Sequence, residues 1–421
     1  MIKKFKEKIR QKLISDFASL FSKEKLDAKE LERVINQVLE ELISREHAAV
    51  STEERLRIVN EIIDECVGFG PIDGLLKDPL ITEIMINGPR KIYIERNGKT
   101  ELANVVFDDE HQLMALVHKI LTPTRRRVDE SYPFTDVALK DGSRVNIIIP
   151  PLALDGPVMT IRKFLKEISK IDDLVQKATL DSRMADFLIA CIKGKVNMIF
   201  SGATGAGKTT TLNVLSSYIA NDERIVTIED TAELRLNQEH VVRLESRVPN
   251  IEGKGEVSIR DLFRNSLRMR PDRIILGEIR GVEALDMLQA MCSGHQGSLA
   301  VLHADSPQDV IYRLETLIIT SGLAISIEAI HRQIAASVDL VVQQEQLHDG
   351  SRKITRIAQI RGLHDKEVVV EDIFKYEIDS THDVTGVVSG RWVATGIVPE
   401  CFHEFKKRGI PLSEDIFKQV P

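Results

Sequence analysis

The run Gly202-Ala203-Thr204-Gly205-Ala206-Gly207-Lys208-Thr209 fits the pattern G-x-x-x-x-G-K-[ST] and constrains this chain more than any other stretch. Glycines there let successive backbone N–H groups turn inward onto phosphate oxygens, while the helix that follows presents its positive end. Lys208 is placed to reach the β and γ phosphates of a triphosphate, the Thr209 hydroxyl to ligate Mg²⁺, and Thr210 extends the run. The pattern has meaning only between a strand and a helix. Both are expected: Val196–Phe200 is an apolar strand, and Thr209–Ala220 reads as helical. With glycine near about 7% of residues in ordinary proteins, a chance match has odds on the order of a percent or two.

Downstream, strands and helices alternate. Arg224–Ile228, Arg273–Leu276, Gly297–Leu302 and Leu340–Gln343 read as strands, with helices at Ile259–Arg268 and Asp286–Cys292. Such alternation predicts an α/β fold whose mainly parallel sheet is covered on both faces. Ligands in such sheets gather beyond the carboxyl ends of the strands. Three strands deliver chemistry there. Ile225-Val-Thr-Ile ends in Glu229 and Asp230, with Glu233 close behind. Arg273-Ile-Ile-Leu ends in Gly277 and Glu278, so the usual strand-end Asp is a glycine and the acid stands one place later. Glu278 suits either holding Mg²⁺ through a water or polarising the attacking water. Ser298–Leu302 ends in His303, where an imidazole can meet the γ-phosphate; His295, at the strand's entry, falls farther away.

The chain has 421 residues, a prior near three domains. Residues 1–60 read as helical, with Ile2, Phe5, Ile9 and Leu13 at helical spacing and Leu31, Val34, Ile35, Val38, Leu39 and Leu42 repeating it. Six Lys or Arg against one Glu in the first 13 residues suit an anionic membrane surface or a plain solvated face. Residues 61–163 form an α+β domain with strands at Glu83–Ile86, Lys91–Glu95 and Val137–Leu139, a tight turn at Asn97-Gly98, and a helix over 110–121. Residues 164–345 carry the alternating pattern, and 346–421 read as a small C-terminal appendage. No run approaches 18 apolar residues, no signal-type leader opens the chain, and four scattered cysteines without a CxxC pair fit a reducing compartment. A soluble, cytosolic protein is expected. A net charge of −7 and an aromatic share of 5% weigh against a nucleic-acid partner.

GATGAGKTT, TIEDTAEL, MRPDRIILGEIRG and SGHQGSLAVLHADSP, in that order, resemble the Walker A, Asp-box, Walker B and His-box set of the secretion ATPase superfamily. Within it, DGSRVNIIIPPLALDGPVMTIRKF (141–164) and EALDMLQAMCSGHQGS look most like the CpaF/TadA family of tight-adherence (Flp) pilus assembly ATPases. The resemblance implies a RecA-like ATPase domain preceded by an N-terminal domain. It also implies ATP and Mg²⁺ as cofactors and a homo-hexameric ring, peripheral to the inner face of the cytoplasmic membrane. That ring would couple ATP hydrolysis to pilus assembly through an inner-membrane platform protein. By motif position Glu229 would be the catalytic acid, Glu278 the Walker B acid and His303 the phosphate-facing imidazole. Arg144 and Arg162 match arginines that act as charge-neutralising fingers from the N-terminal domain. A type IV secretion or conjugation ATPase exporting protein or DNA is the alternative. Gln296 stands where these motors often carry an acid, and no tetracysteine insert is present.

Overall fold

The computed structural model describes residues 28–421 with residues 5, 8, 9, 12 and 13, apart from 47–49, 67, 97, 125, 140, 164–167, 169, 248, 250–253, 383–385 and 420–421. The chain divides into two compact units, Met1–Phe164 and Leu165–Pro421.

The first unit opens with helices α1 (Ala28–Glu46) and α2 (Thr52–Cys66). Ser51 starts α2 with a capping box: its hydroxyl accepts from the Glu54 N–H, and the Glu54 carboxylate accepts from the Ser51 N–H at 2.9 Å. Phe5, Ile9 and Leu13 are buried against Leu31, Ile35, Val38 and Leu39, so this apolar stripe is committed to an internal core. A membrane has no apolar face left to take from these three residues. Ile2 lies outside the described residues. A single-turn helix, α3 (Asp73–Lys77), leads into β1 (Ile81–Asn87), β2 (Ile92–Arg96) and β3 (Lys99–Leu102). Helix α4 (Glu110–Leu121), capped by the Asp109 side chain accepting from the Gln112 N–H, separates these from β4 (Phe134–Ala138), β5 (Arg144–Ile148) and β6 (Val158–Arg162). The six strands form one antiparallel sheet in the order β3-β2-β1-β6-β5-β4. Leu113, Val117 and Ile120 of α4 share its core with Ile84, Ile86, Val145 and Ile161.

In the second unit, α5 (Ile171–Gln176) and α6 (Ser182–Lys193) precede β7 (Met198–Ser201), α7 (Lys208–Ser216), β8 (Ile225–Glu229) and β9 (Val241–Glu245). Then come α8 (Ile259–Ser266), β10 (Arg273–Leu276), α9 (Glu283–Cys292), β11 (Leu299–Leu302), α10 (Pro307–Thr320), α11 (Ile327–Ser337) and β12 (Leu340–Gln346). These six strands run parallel in the order β12-β7-β11-β10-β8-β9. The central strands β7, β8, β10 and β11 are buried at every position, with a layer on each face, while β9 at the edge is only partly covered. Met198 and Phe200 enter one core and Ile199 the other; Leu299 and Val301 part from Ala300 and Leu302 in the same way. The result is the α/β architecture expected from the alternation.

Residues after 346 are no appendage. β13 (Arg352–His364), β14 (Glu367–Thr381) and β15 (Val388–Ala394) add antiparallel to the β12 edge and bring the sheet to nine strands. An antiparallel extension ordinarily alternates cleanly, but register shifts at Ile357/Ala358, Ile360/Gly362 and Ile378/Ser380 break the period here. Helix α12 (Phe402–Lys407) and a short turn at Glu414–Phe417 then return to the core. Phe374, Phe405 and Phe417 surround Phe187 of α6, with Phe187 and Phe417 edge-on at 5.3 Å, and Phe402 packs edge-on against Phe405 and Phe417. Phe417→Ala is therefore expected to lower unfolding stability by about 3–5 kcal/mol, read by chemical denaturation.

Candidate functional site

The chain leaves β7 at Ser201 and enters α7 at Lys208, and the loop between them is set by glycines. Gly207 has φ +97° and caps α7 in the left-handed region. The first N–H groups of α7 have no acceptor within the helix and face the loop. Lys208 is 6% exposed. Its Nζ donates to the carbonyls of Gly202 at 2.9 Å and Ala203 at 2.8 Å, and lies 3.5 Å from Nδ1 of His303. Ala203 and Thr204 are exposed, while Gly205, Thr209 and Thr210 are partly covered. Ala206 is buried under the loop.

Parallel registry brings the other strand ends alongside. Leu302 pairs with Ser201, Ile275 and Leu276 with Leu299 and Ala300, and Leu276 with Ile228. Glu278 and His303 thus follow neighbouring strands. Glu278 Oε1 is 3.3 Å from His303 Nε2, and its Oε2 accepts from Arg280 at 2.7 Å. Arg280 also reaches Asp230 at 3.4 Å. Burial and the Lys208 charge lower the His303 pKa, against the pull of Glu278, which favours the neutral ring between an ammonium and a carboxylate.

Glu229 is placed differently. It is 3% exposed, and its Oε2 accepts the N–H groups of Glu233 at 2.8 Å and Leu234 at 3.0 Å. Its Oε1 is buried with no hydrogen-bond partner. Burial raises its pKa to about 7, overriding the two N–H donors. Room for this side chain comes from Gly277: a Cβ there would stand 2.7 Å from Cγ of Glu229. The glycine in place of a strand-end Asp is thereby explained. An acid at 277 and the observed Glu229 rotamer exclude each other.

A cleft of about 310 Å³ opens beside the loop, lined by Gly202, Ala203, His303, Asp305, Asp309 and Arg313 among others. The last three escaped sequence reasoning. Their only signal was Ser306-Pro307-x-Asp309, a helix start in which the Ser306 side chain caps α10. His295 sits at the opposite end of β11 from His303. In the first unit Arg144 and Arg162, 18 places apart in sequence, are direct cross-strand partners on β5 and β6. Like charges so paired are ordinarily destabilising, by up to about 1 kcal/mol.

These atoms suit a phosphate anion and its counter-ion. The loop folds its Gly202 and Ala203 carbonyls onto the buried Lys208 ammonium ahead of the N-terminus of α7, and one Glu229 oxygen is buried without a donor. Because Glu229 is held protonated up to about 7 and the unfolded carboxyl titrates near 4.5, the folded state binds the extra proton between them. Its stabilising share is full below about 4.5 and is lost as pH rises through about 7. Glu229→Gln should then melt above wild type at pH 8, with the gap closing below pH 5; thermal denaturation across that range reads it.

A mainly parallel sheet with a phosphate loop and a strand-end acid and imidazole defines a RecA-like P-loop protein. The family model described as Type II/IV secretion system protein matches residues 65–385, and the chain belongs to that family. It is 33% identical over 303 residues to the protein VirB11 of Agrobacterium fabrum, covering 65% of this chain and 87% of that one. It is 35% identical over 262 residues to the type IV secretion system protein PtlH of Bordetella pertussis, covering 56% and 76%. Among solved structures it is similar to the VirB11 ATPase of the Brucella suis type IV secretion system in complex with sulphate. That similarity has 29% identity, 69% and 92% coverage, and a TM-score of 0.38. No helix among the described residues is long and apolar enough to cross a membrane.

Proposed function

We propose that this chain hydrolyses ATP as a homo-hexameric motor and drives assembly of a type IV-like tight-adherence pilus at the inner face of the cytoplasmic membrane. The observation that carries the reading is the convergence of Lys208, Glu278 and His303 at three neighbouring strand ends, with Glu229 buried nearby on β8. Residues 202–210 would bind the phosphates. Thr209 and Glu278, the latter through a water, would hold Mg²⁺, which supplies charge neutralisation on the phosphoryl oxygens. Glu229, titrating near the working pH, is suited to accept the proton of the attacking water. His303, neutral and donating, would report on the γ-phosphate. Arg144 and Arg162 would neutralise charge developing on the phosphoryl oxygens, the role that the resemblance implies for them. An inner-membrane platform protein would receive the work.

The pilus assignment rests on the resemblance of residues 141–164 and 283–298 to the tight-adherence motors. A second reading, a type IV secretion motor exporting protein or DNA, is favoured by the names of the VirB11 and PtlH relatives. Lys208→Ala is expected to reduce ATPase turnover to background, and Arg144→Ala or Arg162→Ala to lower it by about 10³-fold, the range of an arginine finger. Wild-type turnover in both arginine variants would remove them from the mechanism. In cells, a deletion complemented by Lys208→Ala should lack surface filaments. Intact filaments with lost export would select the second reading.

A further inference from the structure

The strand beside β7 on the side away from His303 is β12, and after Val342 it carries two buried glutamines in succession. Its pairing with β13 shifts register between Gln343 and Gln344, and the two side chains go to different partners. Gln343, 1% exposed, accepts from the Ser201 hydroxyl and donates to the Ala304 carbonyl at 3.2 Å, tying the end of β7 to the residue after His303. Gln344, 2% exposed, accepts from the Thr211 hydroxyl of α7 at 2.8 Å. Its backbone oxygen lies 1.9 Å from where a Cβ on Gly202 would stand, and its Nε2 lies 2.9 Å from one on Gly207. Across the turn, Arg352 Nε donates to the Gly205 carbonyl at 2.8 Å.

In a trans peptide the carbonyl and the next N–H point in opposite directions. Fixing the Gly205 carbonyl on Arg352 therefore turns the Ala206 N–H across the loop, where it meets the Ala203 carbonyl at 3.3 Å. The hairpin thus holds the loop by its outward carbonyl and leaves the N–H side to the interior. Gly202 and Gly207 are glycines here partly because Gln344 occupies the space a side chain would need.

We propose that Gln343, Gln344 and Arg352 clasp the phosphate loop, so that the β12–β13 hairpin is a positioning part of the nucleotide site. This rests on the nucleotide reading above. Arg352 acts on the loop through the Gly205 carbonyl, and its loss should act on binding more than on turnover. Arg352→Ala is expected to weaken MgATP binding about tenfold, measured with a fluorescent ATP analogue, and to raise KM equally. The kcat should stay within about twofold, because no reacting atom is touched. Arg352→Lys should regain most of the affinity. Arg361→Ala, on the same strand but paired to Glu371, should bind as wild type. Wild-type affinity in Arg352→Ala would overturn the clasp. So would a loss matched by an equal fall in the nucleotide-free melting temperature and not regained by Arg352→Lys. If the wild-type chain and Lys208→Ala both fail to bind the analogue, the nucleotide reading itself falls; binding by wild type alone upholds it whatever Arg352 does.

Discussion

A parallel strand with apolar layers on both faces and neighbours on both edges has its peptide groups spent along its length. Only where such a strand ends can backbone N–H groups and polar side chains meet a ligand. β7 is such a strand, four residues all buried, with β11 and β12 alongside. The loop, both acids and His303 all follow the carboxyl ends of the sheet as a consequence. The amino ends hold charge too, but of another kind. Arg273, fully buried, donates to Glu223 at 2.8 and 3.0 Å and to the Ile192 carbonyl at 2.7 Å. These contacts tie the start of β10 to α6 and to the segment before β8, which marks a structural anchor.

Two carboxylates share the ligand end, and their surroundings separate them. Glu278 faces Arg280 and His303 and is partly exposed. Glu229 has no cation in contact and an unmatched oxygen. One is thereby suited to electrostatic work on a metal or phosphate, the other to moving a proton.

Much of this was legible in the sequence where the signal is local. The loop states its own chemistry, β10 needs three apolar residues and a turn, and α4 carries a capping Asp and a clear period. What stayed hidden depends on residues distant in the chain. Arg144 and Arg162 become neighbours only through strand pairing. The need for glycine at 277 arises from a side chain 48 places earlier. Gln343 and Gln344 look like the fraying end of a strand until the loop is seen beneath them. The C-terminal strands bury one face irregularly, so neither helical nor strict alternating periodicity marked them.

Gly277 carries a constraint on sequence drift. Its missing side chain and the carboxyl of Glu229 are two claims on one small volume, since a Cβ would come within 2.7 Å of the Glu229 chain. In this chain a side chain at 277 and the Glu229 carboxyl cannot both be seated without repacking. An acid brought to position 277 would need Glu229 to be shortened or moved at the same time. The placement of the buried acid is therefore locked by geometry as well as by chemistry.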